Sequence, residues 1–321
     1  MILILTNKAC TTTNYVIDWL IAKNAQFLRI NSEDKVNLVK LSLVEVEFEI
    51  NEKRYNSNQF KSVWFYRGKF NLRSNITTCD STFQLKNEII NHLKNEIALV
   101  EYLFVNSFNG KILGNYFTPN SNKVKALIAA KEVGLKIPQS EIITNKIQLK
   151  EKLAKSKIIT KGIQDSATLE SLNSSVNELT IYNNYSSLVI QKDIVKIPDR
   201  FFPTLIQEYI DKQYELRIFY LAGKCYTIAI FSQRNEKTKI DFRHYDNEND
   251  NKQIPYKLPV GVEQKVIRLM NKMELNSGSI DMIVDEKGSY VFLEINPVGL
   301  FEVVDYYGHF QIYEKIADYL I

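Results

Sequence analysis

Apolar runs and amphipathic stretches alternate over the first third of the chain, which is typical of an α/β unit. Residues 1–6 form a short apolar run that predicts a buried strand, and Thr11, Thr12 and Thr13 are suited to cap a helix over 15–23. Further strands are predicted at 27–30, 41–50 and 62–66, and a long amphipathic helix at 85–104.

The pattern changes around 116–122, where a proline, a serine and several asparagines indicate a linker. A helix is predicted over 123–133, because Gly134 can adopt the left-handed conformation that often follows a helix. The segments that follow are strands at 141–144 and 158–161 and a polar stretch expected to be a mobile loop, 164–177.

Two β-hairpins are predicted in the last third of the chain. Ala222 and Gly223 join the strands 216–221 and 224–231 of the first hairpin. The remaining predicted elements are the strands 279–284 and 289–295 of the second hairpin, its turn at 285–288, and helices at 262–273 and 310–320.

The composition is that of a globular protein and excludes several functional classes. The 321 residues suit two or three packed subdomains, and 45% hydrophobic with 24% charged residues is ordinary. A net charge of +4 permits anionic ligands such as nucleotides but is too small to suggest a nucleic-acid partner. Three widely separated cysteines predict reduced thiols. With neither a signal peptide nor a membrane-spanning stretch in the sequence pattern, a cytoplasmic location without a membrane partner is expected.

The second hairpin carries the strongest chemical signal. Glu294 and Asn296 are two residues apart on one predicted strand and therefore share a face. Symmetric pairing about the turn puts Asp281 nearly opposite Glu294. Two carboxylates and an amide oxygen form a hard oxygen site suited to magnesium bound together with nucleotide phosphates. A solvated acidic sheet face is the alternative interpretation.

The segment 205–210 is the second signal, because a strand there can offer backbone donors and acceptors to an adenine edge. Glu215 and Arg217 follow and again share one face. A carboxylate there suits ribose hydroxyls, and an arginine suits a phosphate or acyl-phosphate oxygen. An amphipathic strand that binds no ligand is the alternative.

Several single residues are weaker candidates. Lys161 closes an apolar strand, where a phosphate partner and a side chain that reaches water are both reasonable interpretations. Lys123 lies on a predicted helix surface. Asp241 and Arg243 could grip polar substrate groups or form a solvated salt pair, and Arg67 ends a core strand.

Taken in order, these residues resemble the ATP-grasp superfamily over about 115–321. The matching positions are Asn122, Lys123, Ala130, Gly134, Leu135, Pro138, Lys161, Gln207, Glu208, Tyr209, Ile210, Glu215, Arg217, Asp281, Glu294 and Asn296. The resemblance implies an α/β (α+β grasp) fold. It divides the chain into an N-terminal pre-ATP-grasp domain at 1–118, a central subdomain at 119–203 and a C-terminal subdomain with the metal site at 204–321.

Three features are similar to the graspetide synthetases of the microviridin and grasp-with-spasm types, which macrocyclise ribosomally made peptides. They are the segment 63–68, Asp241 and Arg243 with Tyr245, and the run from Asn296 to Gly299. Two positions depart from the family pattern, since Leu300 stands where glutamine is usual and Phe242 where tryptophan is usual.

This resemblance implies the cofactors and the role of each candidate residue. ATP is expected at Lys123, Lys161, Gln207, Glu208, Tyr209, Ile210 and Glu215, and magnesium at Asp281, Glu294 and Asn296. Arg217 and Lys161 are expected to act in catalysis, and Arg67, Asp241 and Arg243 to bind the peptide.

The implied reaction is ATP-dependent ligation. An Asp or Glu side chain of a precursor peptide with leader and core becomes an acyl phosphate and then an ester or amide crosslink. One alternative is an amino-acid ligase of the glutamate-adding type that acts on a protein tail or small metabolite. Another is a nucleotide-binding protein without catalysis. The sequence does not decide which peptide is modified, how its rings are connected or whether the protein forms a homodimer.

Overall fold

The computed structural model describes residues 1–72, 86–117, 122–163, 168–173, 178–183, 186–233 and 251–321. The chain forms two compact units, Met1–Pro119 with Gln311–Ile321, and Asn120–Phe310. The last residues therefore belong to the first unit, although a domain at 204–321 that includes them was expected from the sequence. The division of the second unit into 119–203 and 204–321 stays a prediction.

The first unit contains two four-stranded sheets. Its elements are β1 (Ile2–Thr6), α1 (Thr11–Ala22), β2 (Phe27–Asn31), β3 (Lys35–Leu41), β4 (Val46–Ile50), β5 (Lys53–Asn56), a 3₁₀ helix (Ser57–Gln59), β6 (Ser62–Phe65), β7 (Asn71–Leu72), α2 (Lys86–Asn106), β8 (Lys111–Leu113) and α7 (Ile312–Leu320). The strand orders are β2-β1-β6-β8, all parallel, and β5-β4-β3-β7.

The apolar run of β1 is buried along its whole length, as expected for a parallel strand covered on both faces. On one face its Leu3 and Leu5 join a core with Phe48 and Phe104. Helix α7 packs against α1, and its last turn contacts β6, where the Ser62 hydroxyl donates to the Leu320 carbonyl. This packing explains why the C-terminal helix belongs to the first unit.

The prediction of one strand at 41–50 was wrong in part, because its second half is β4 but Leu41 is the last residue of β3. Two strands, β3 and β4, meet at a turn, where the Ser42 hydroxyl accepts the backbone N–H of Glu45 at 3.1 Å. Serine commonly stabilises turns in this way. The helix predicted at 85–104 is confirmed as α2.

The second unit is built on two larger sheets and one two-stranded sheet. Its elements are α3 (Lys123–Glu132), β9 (Ser140–Asn145), α4 (Lys146–Leu153), β10 (Ile158–Lys161), β11 (Thr168–Asn173), β12 (Glu178–Asn183), β13 (Ser187–Leu188), a 3₁₀ helix (Gln191–Lys196), β14 (Arg200–Glu208), β15 (Lys212–Leu221), β16 (Lys224–Phe231), β17 (Lys252–Pro255), α5 (Val260–Lys272), β18 (Ser277–Asp285), β19 (Tyr290–Asn296) and α6 (Glu302–Gly308). The strand orders are β13-β10-β14-β9, β11-β12 and β17-β16-β15-β18-β19.

Both predicted hairpins are confirmed, as β15–β16 and β18–β19. The loop expected at 164–177 is wrong in part, because β11 and β12 pair as antiparallel strands, while 164–167 and 174–177 lie outside the described residues. The helix expected at 310–320 begins at Ile312, and α6 precedes it.

The main core of the second unit covers one face of the five-stranded sheet. Leu216, Ile218 and Met282 from the sheet pack against Ala130 of α3 and Val266 of α5. A smaller core joins α4 to the β9–β14–β10 sheet. No helix in the described part of the chain is both long enough and apolar enough to cross a bilayer.

Candidate active site

Strand alternation separates a core face from a polar face on the five-stranded sheet. Leu216 and Ile218 of β15 point into the main core. Glu215 and Arg217, which alternate with them along the strand, therefore project from the opposite face. The prediction that Glu215 and Arg217 share a face follows from this geometry.

A row of charged residues crosses three strands on that polar face. Arg217 of β15 is paired with Asp281 of β18. Asp281 is also paired with Glu294 of β19, and only this second pairing was predicted from the sequence. The Arg217 Nη1 donates to both oxygens of Asp281 at 2.6 Å, and the two side chains are only 13% and 12% exposed. An ion pair this short and this well shielded holds the carboxylate in one orientation.

Glu294 has its own cation, supplied by the first residue of α3. The Lys123 Nζ lies 3.5 Å from Glu294 Oε2, and the two side chains are 9% and 13% exposed. The helix begins there because the Asn122 side chain accepts the backbone N–H of Lys125 at 3.0 Å. Each acidic residue of the predicted metal set therefore carries a basic partner in this structure.

Asn296 lies opposite Ser279, two residue pairs beyond Asp281 and Glu294 on the β18–β19 pair. It precedes a turn that closes with the Gly299 N–H donating to the Asn296 carbonyl at 3.0 Å. Gly299 has a φ of +67°, and a Cβ there would lie 3.0 Å from the Gly278 Cα. Only glycine fits this turn without displacing its neighbours.

Asp281, Glu294 and Asn296 supply oxygen donors of the kind magnesium prefers. Within the described ranges, no group of three or more His, Cys, Asp or Glu side chains could hold a metal. The candidate set has two carboxylates and one amide, so its chemistry fits magnesium shared with phosphate oxygens better than an all-protein cage.

The second wall of the site comes from β10 and β14. Ile158 and Ile206 point into the smaller core, so Ile159, Lys161 and Gln207 project from the other face. The Glu208 side chain lies on the core side, where its Oε2 accepts the Gln139 N–H at 3.5 Å.

The amide of Gln207 is oriented by a relay of hydrogen bonds. The Ser140 hydroxyl donates to the Pro138 carbonyl at 2.9 Å and accepts from the Gln207 Nε2 at 2.9 Å. The Gln207 Oε1 is buried and has no hydrogen-bond partner among the described residues. A buried acceptor without a donor is costly, which makes this atom a candidate for a ligand contact.

The two walls border a cleft of about 620 Å³, a volume that includes space open to solvent. The cleft is lined by Pro138, Ile159, Lys161, Ser186, Gln207, Glu208, Tyr209, Ile210, Lys212, Glu215, Asp281, Ile283, Leu293 and Glu294.

Most of the predicted site residues are therefore close together. Six of the seven predicted nucleotide residues line the cleft, as do Asp281 and Glu294. The seventh, Lys123, contacts Glu294, and Arg217 contacts Asp281.

The three predicted substrate residues are Arg67, Asp241 and Arg243. Arg67 lies in the first unit directly after β6, with a φ of +63°. Asp241 and Arg243 lie outside the described residues. Their roles stay predictions.

Sequence reasoning missed Lys212 and Ser186, which also line the cleft. Lys212 is three residues from Glu215, and regular alternation would put the two on opposite faces. Ser186 follows residues without a recognisable pattern, so no sequence signal identified it.

The sequence matches no family model and no curated protein. Solved structures, however, are similar along almost the whole chain. The macrocyclase MdnC bound with precursor peptide MdnA, from Microcystis aeruginosa MRC, is 24% identical with a TM-score of 0.75, over 100% of this chain and 99% of that one.

A RiPP-associated ATP-grasp ligase of Chryseobacterium gregarium, in complex with ADP and a leader and core peptide, is 22% identical with a TM-score of 0.76, over 99% and 94% of the two chains. The ATP-grasp ligase PsnB, complexed with a phosphomimetic variant of minimal precursor, Mg and ADP, is 14% identical with a TM-score of 0.68. This match covers 99% of this chain and 97% of PsnB. The chain therefore has the ATP-grasp fold, which confirms the predicted fold class.

Proposed function

We propose that this protein is an ADP-forming carboxylate ligase that crosslinks a ribosomal precursor peptide. The observation that carries the proposal is the cross-strand pair of Asp281 and Glu294, which lines one cleft together with Lys161 and Glu215. The ADP, magnesium and precursor peptides of the similar ATP-grasp structures support the same ligands here.

In this proposal the adenine of ATP lies beside the end of β14. The Ile210 N–H forms no hydrogen bond to any described residue and can donate to a ring nitrogen. The Gln207 Oε1 can accept from the exocyclic amine. Glu208 contributes its backbone atoms to the adenine site, because its side chain points to the other face. Tyr209 forms part of the wall of the cleft. Glu215 accepts hydrogen bonds from the ribose hydroxyls.

The phosphates lie toward the charged row in this proposal. Lys123 and Lys161 bind phosphate oxygens, and Asp281, Glu294 and Asn296 hold magnesium. Bound magnesium would neutralise charge on the β- and γ-phosphate oxygens. Asp281 and Glu294, which are paired with Arg217 and Lys123 in this structure, would be the two acidic ligands of this metal.

The reaction proceeds in two displacements. A carboxylate oxygen of the peptide attacks the γ-phosphorus, the bond from the γ-phosphorus to its bridging oxygen breaks, and ADP leaves. A Ser or Thr hydroxyl or a Lys amine of the same peptide then attacks the acyl phosphate, loses its proton, and displaces phosphate. Arg217 and Lys161 stabilise negative charge during both displacements, which is an electrostatic task. Arg67, Asp241 and Arg243 are proposed to bind the peptide.

The deciding experiment is the intact mass of a candidate precursor peptide encoded beside this protein, after incubation with the protein, ATP and magnesium. Loss of water in whole steps, dependent on ATP and absent with Glu294→Ala, is the expected result. Glu286→Ala is the matched control, because Glu286 is an exposed acid in the turn of the same hairpin.

The two alternatives predict different outcomes of this experiment. ADP formed only after addition of a free amino acid, with no change in peptide mass, would identify an amino-acid ligase. Nucleotide binding without ADP formation under any of these conditions would identify a partner-binding protein.

A further inference from the structure

Glu215 is held by two donors at the start of β15. Its Oε1 accepts from the Lys212 Nζ at 2.9 Å and from the Ser232 hydroxyl at 2.7 Å. All three residues are nearly inaccessible to solvent, at 6%, 8% and 0% exposed for Glu215, Lys212 and Ser232. A carboxylate so deeply buried needs charged or polar partners that compensate for its lost contact with water, and these partners fix it in place.

Lys212 reaches Glu215 because the strand is irregular. Lys212 is paired with Asp285 and Tyr214 with Val284, so Gln213 is an extra residue that forms a β-bulge. The bulge reverses the alternation, and Lys212 therefore lies on the same face as Glu215 although three residues separate them. Tyr214 still packs against the main core. Bulges of this kind commonly re-aim a side chain beside an active site.

We infer that Lys212 is a positioning residue that orients the Glu215 carboxylate toward the ribose of the bound nucleotide. The inference rests on the proposed function, because it assumes that the cleft binds ATP. Lys212 and Ser232 bind the same carboxylate oxygen, so together they fix the rotation of the group about its terminal bond. A carboxylate fixed in this way selects a sugar that presents two hydroxyl donors over one that presents a single hydroxyl.

A purely structural role predicts a different result. If Lys212 only neutralises a buried charge, its loss lowers the stability of the fold and weakens the binding of all nucleotides equally. If Lys212 orients Glu215, its loss reduces the preference for ADP over 2′-deoxy-ADP. The ratio of the two dissociation constants therefore separates the two roles.

The experiment measures binding of ADP and 2′-deoxy-ADP, each with magnesium, to the full chain by calorimetry. Lys212→Met is expected to reduce the preference for ADP by about tenfold, the value of one hydrogen bond to a charged group. Ser232→Ala removes the second donor to the same oxygen, and it is expected to reduce the preference less. Lys136→Met is the matched control, because it also removes the lysine of a lysine–carboxylate pair, Lys136 with Asp285 at 2.7 Å, outside the cleft.

A double-mutant cycle tests whether Lys212 acts through Glu215. In a Glu215→Gln background, Lys212→Met is expected to leave the remaining preference unchanged. An equal loss in both backgrounds would overturn the inference, and so would an unchanged preference in both Lys212→Met and Ser232→Ala. If Lys212→Met fails to fold, the ratio of the dissociation constants for ADP and 2′-deoxy-ADP in Ser232→Ala alone decides between the two roles. A wild-type protein that binds neither nucleotide would refute the proposed function instead, and one that binds both equally would refute only this inference.

Discussion

Replacing Lys123 with methionine is expected to change the affinities for magnesium and for nucleotide in opposite directions. In this structure the Lys123 ammonium neutralises Glu294, one of the proposed magnesium ligands, at 3.5 Å. Magnesium alone must therefore compete with a fixed positive charge. ADP, by contrast, gains a phosphate contact from the same ammonium. Methionine keeps the length and apolar character of the side chain and removes only the charge.

The magnitude follows from the separation of the charges. Two unit charges 3.5 Å apart interact by about 5 kcal/mol at an effective dielectric constant of about 20. Desolvation offsets most of this energy, so a net effect of about 1 to 2 kcal/mol is expected. Lys123→Met should therefore raise the affinity for magnesium alone by about tenfold and lower the affinity for ADP with magnesium by about tenfold, since 1.4 kcal/mol corresponds to a factor of ten.

Calorimetric titration of magnesium without nucleotide, and of ADP at saturating magnesium, measures both affinities. Lys131→Met is the matched control, because Lys131 is an exposed lysine on the same helix, and neither affinity should change. A lower affinity for both ligands would mean that Lys123 only stabilises the fold. Unchanged affinities would mean that Lys123 does not contact the site in solution. Either result would refute the reasoning.

Three further predictions concern single residues. Glu294→Ala should abolish ADP formation and preserve the circular dichroism spectrum, and substantial turnover would exclude Glu294 as a metal ligand. Gly299→Ala should lower the free energy of unfolding in urea by about 1 to 3 kcal/mol, because a Cβ there meets the Gly278 backbone at 3.0 Å and the φ is +67°. The Lys136 ammonium lowers the pKa of the Asp285 carboxyl to about 2, below its ordinary value of 3.8, so this carboxylate stabilises the fold above about pH 4 and loses the effect as pH falls toward 2. Asp285→Asn should therefore be less stable than wild type at pH 7 by about 1 kcal/mol, after allowance for the half-exposed lysine, and the difference should disappear near pH 2; a constant difference would contradict this account.

The hairpins could be predicted from the sequence because their turns depend on local chemistry. Gly223 and Gly288 have φ values of +93° and +78°, which glycine adopts without strain. Regular alternation then gives the shared face of Glu215 and Arg217. These features involve neighbours in sequence, where propensity and periodicity are informative.

Helix α4 and the division between β3 and β4 were not predicted. Helix α4 is short and mostly polar, and only Leu149 is buried in it, so it has almost no apolar periodicity. The turn between β3 and β4 contains Leu43 and Val44, which are 91% and 77% exposed. Two exposed apolar residues gave the appearance of a continuous alternating strand.

The site itself depends on irregular pairing that periodicity does not reveal. Symmetric pairing of β18 with β19, as found between Met282 and Phe292, would put Leu293 opposite Asp281. Leu293 is instead the extra residue of a second bulge, which turns Phe292 into the core and brings Glu294 opposite Asp281.

The bulges at Gln213 and Leu293 therefore perform the same task on two strands of one sheet. Each inserts one residue and moves a charged side chain, Lys212 or Glu294, to the cleft face while its aromatic neighbour stays in the core. If the same residues paired regularly without a bulge, residues two apart would share a face, so Lys212 would lie on the face of Tyr214 and Glu294 on the face of Phe292. The chemistry of this cleft thus depends on the irregular pairing of β15 and β19 with β18 as much as on the identity of their acidic and basic residues.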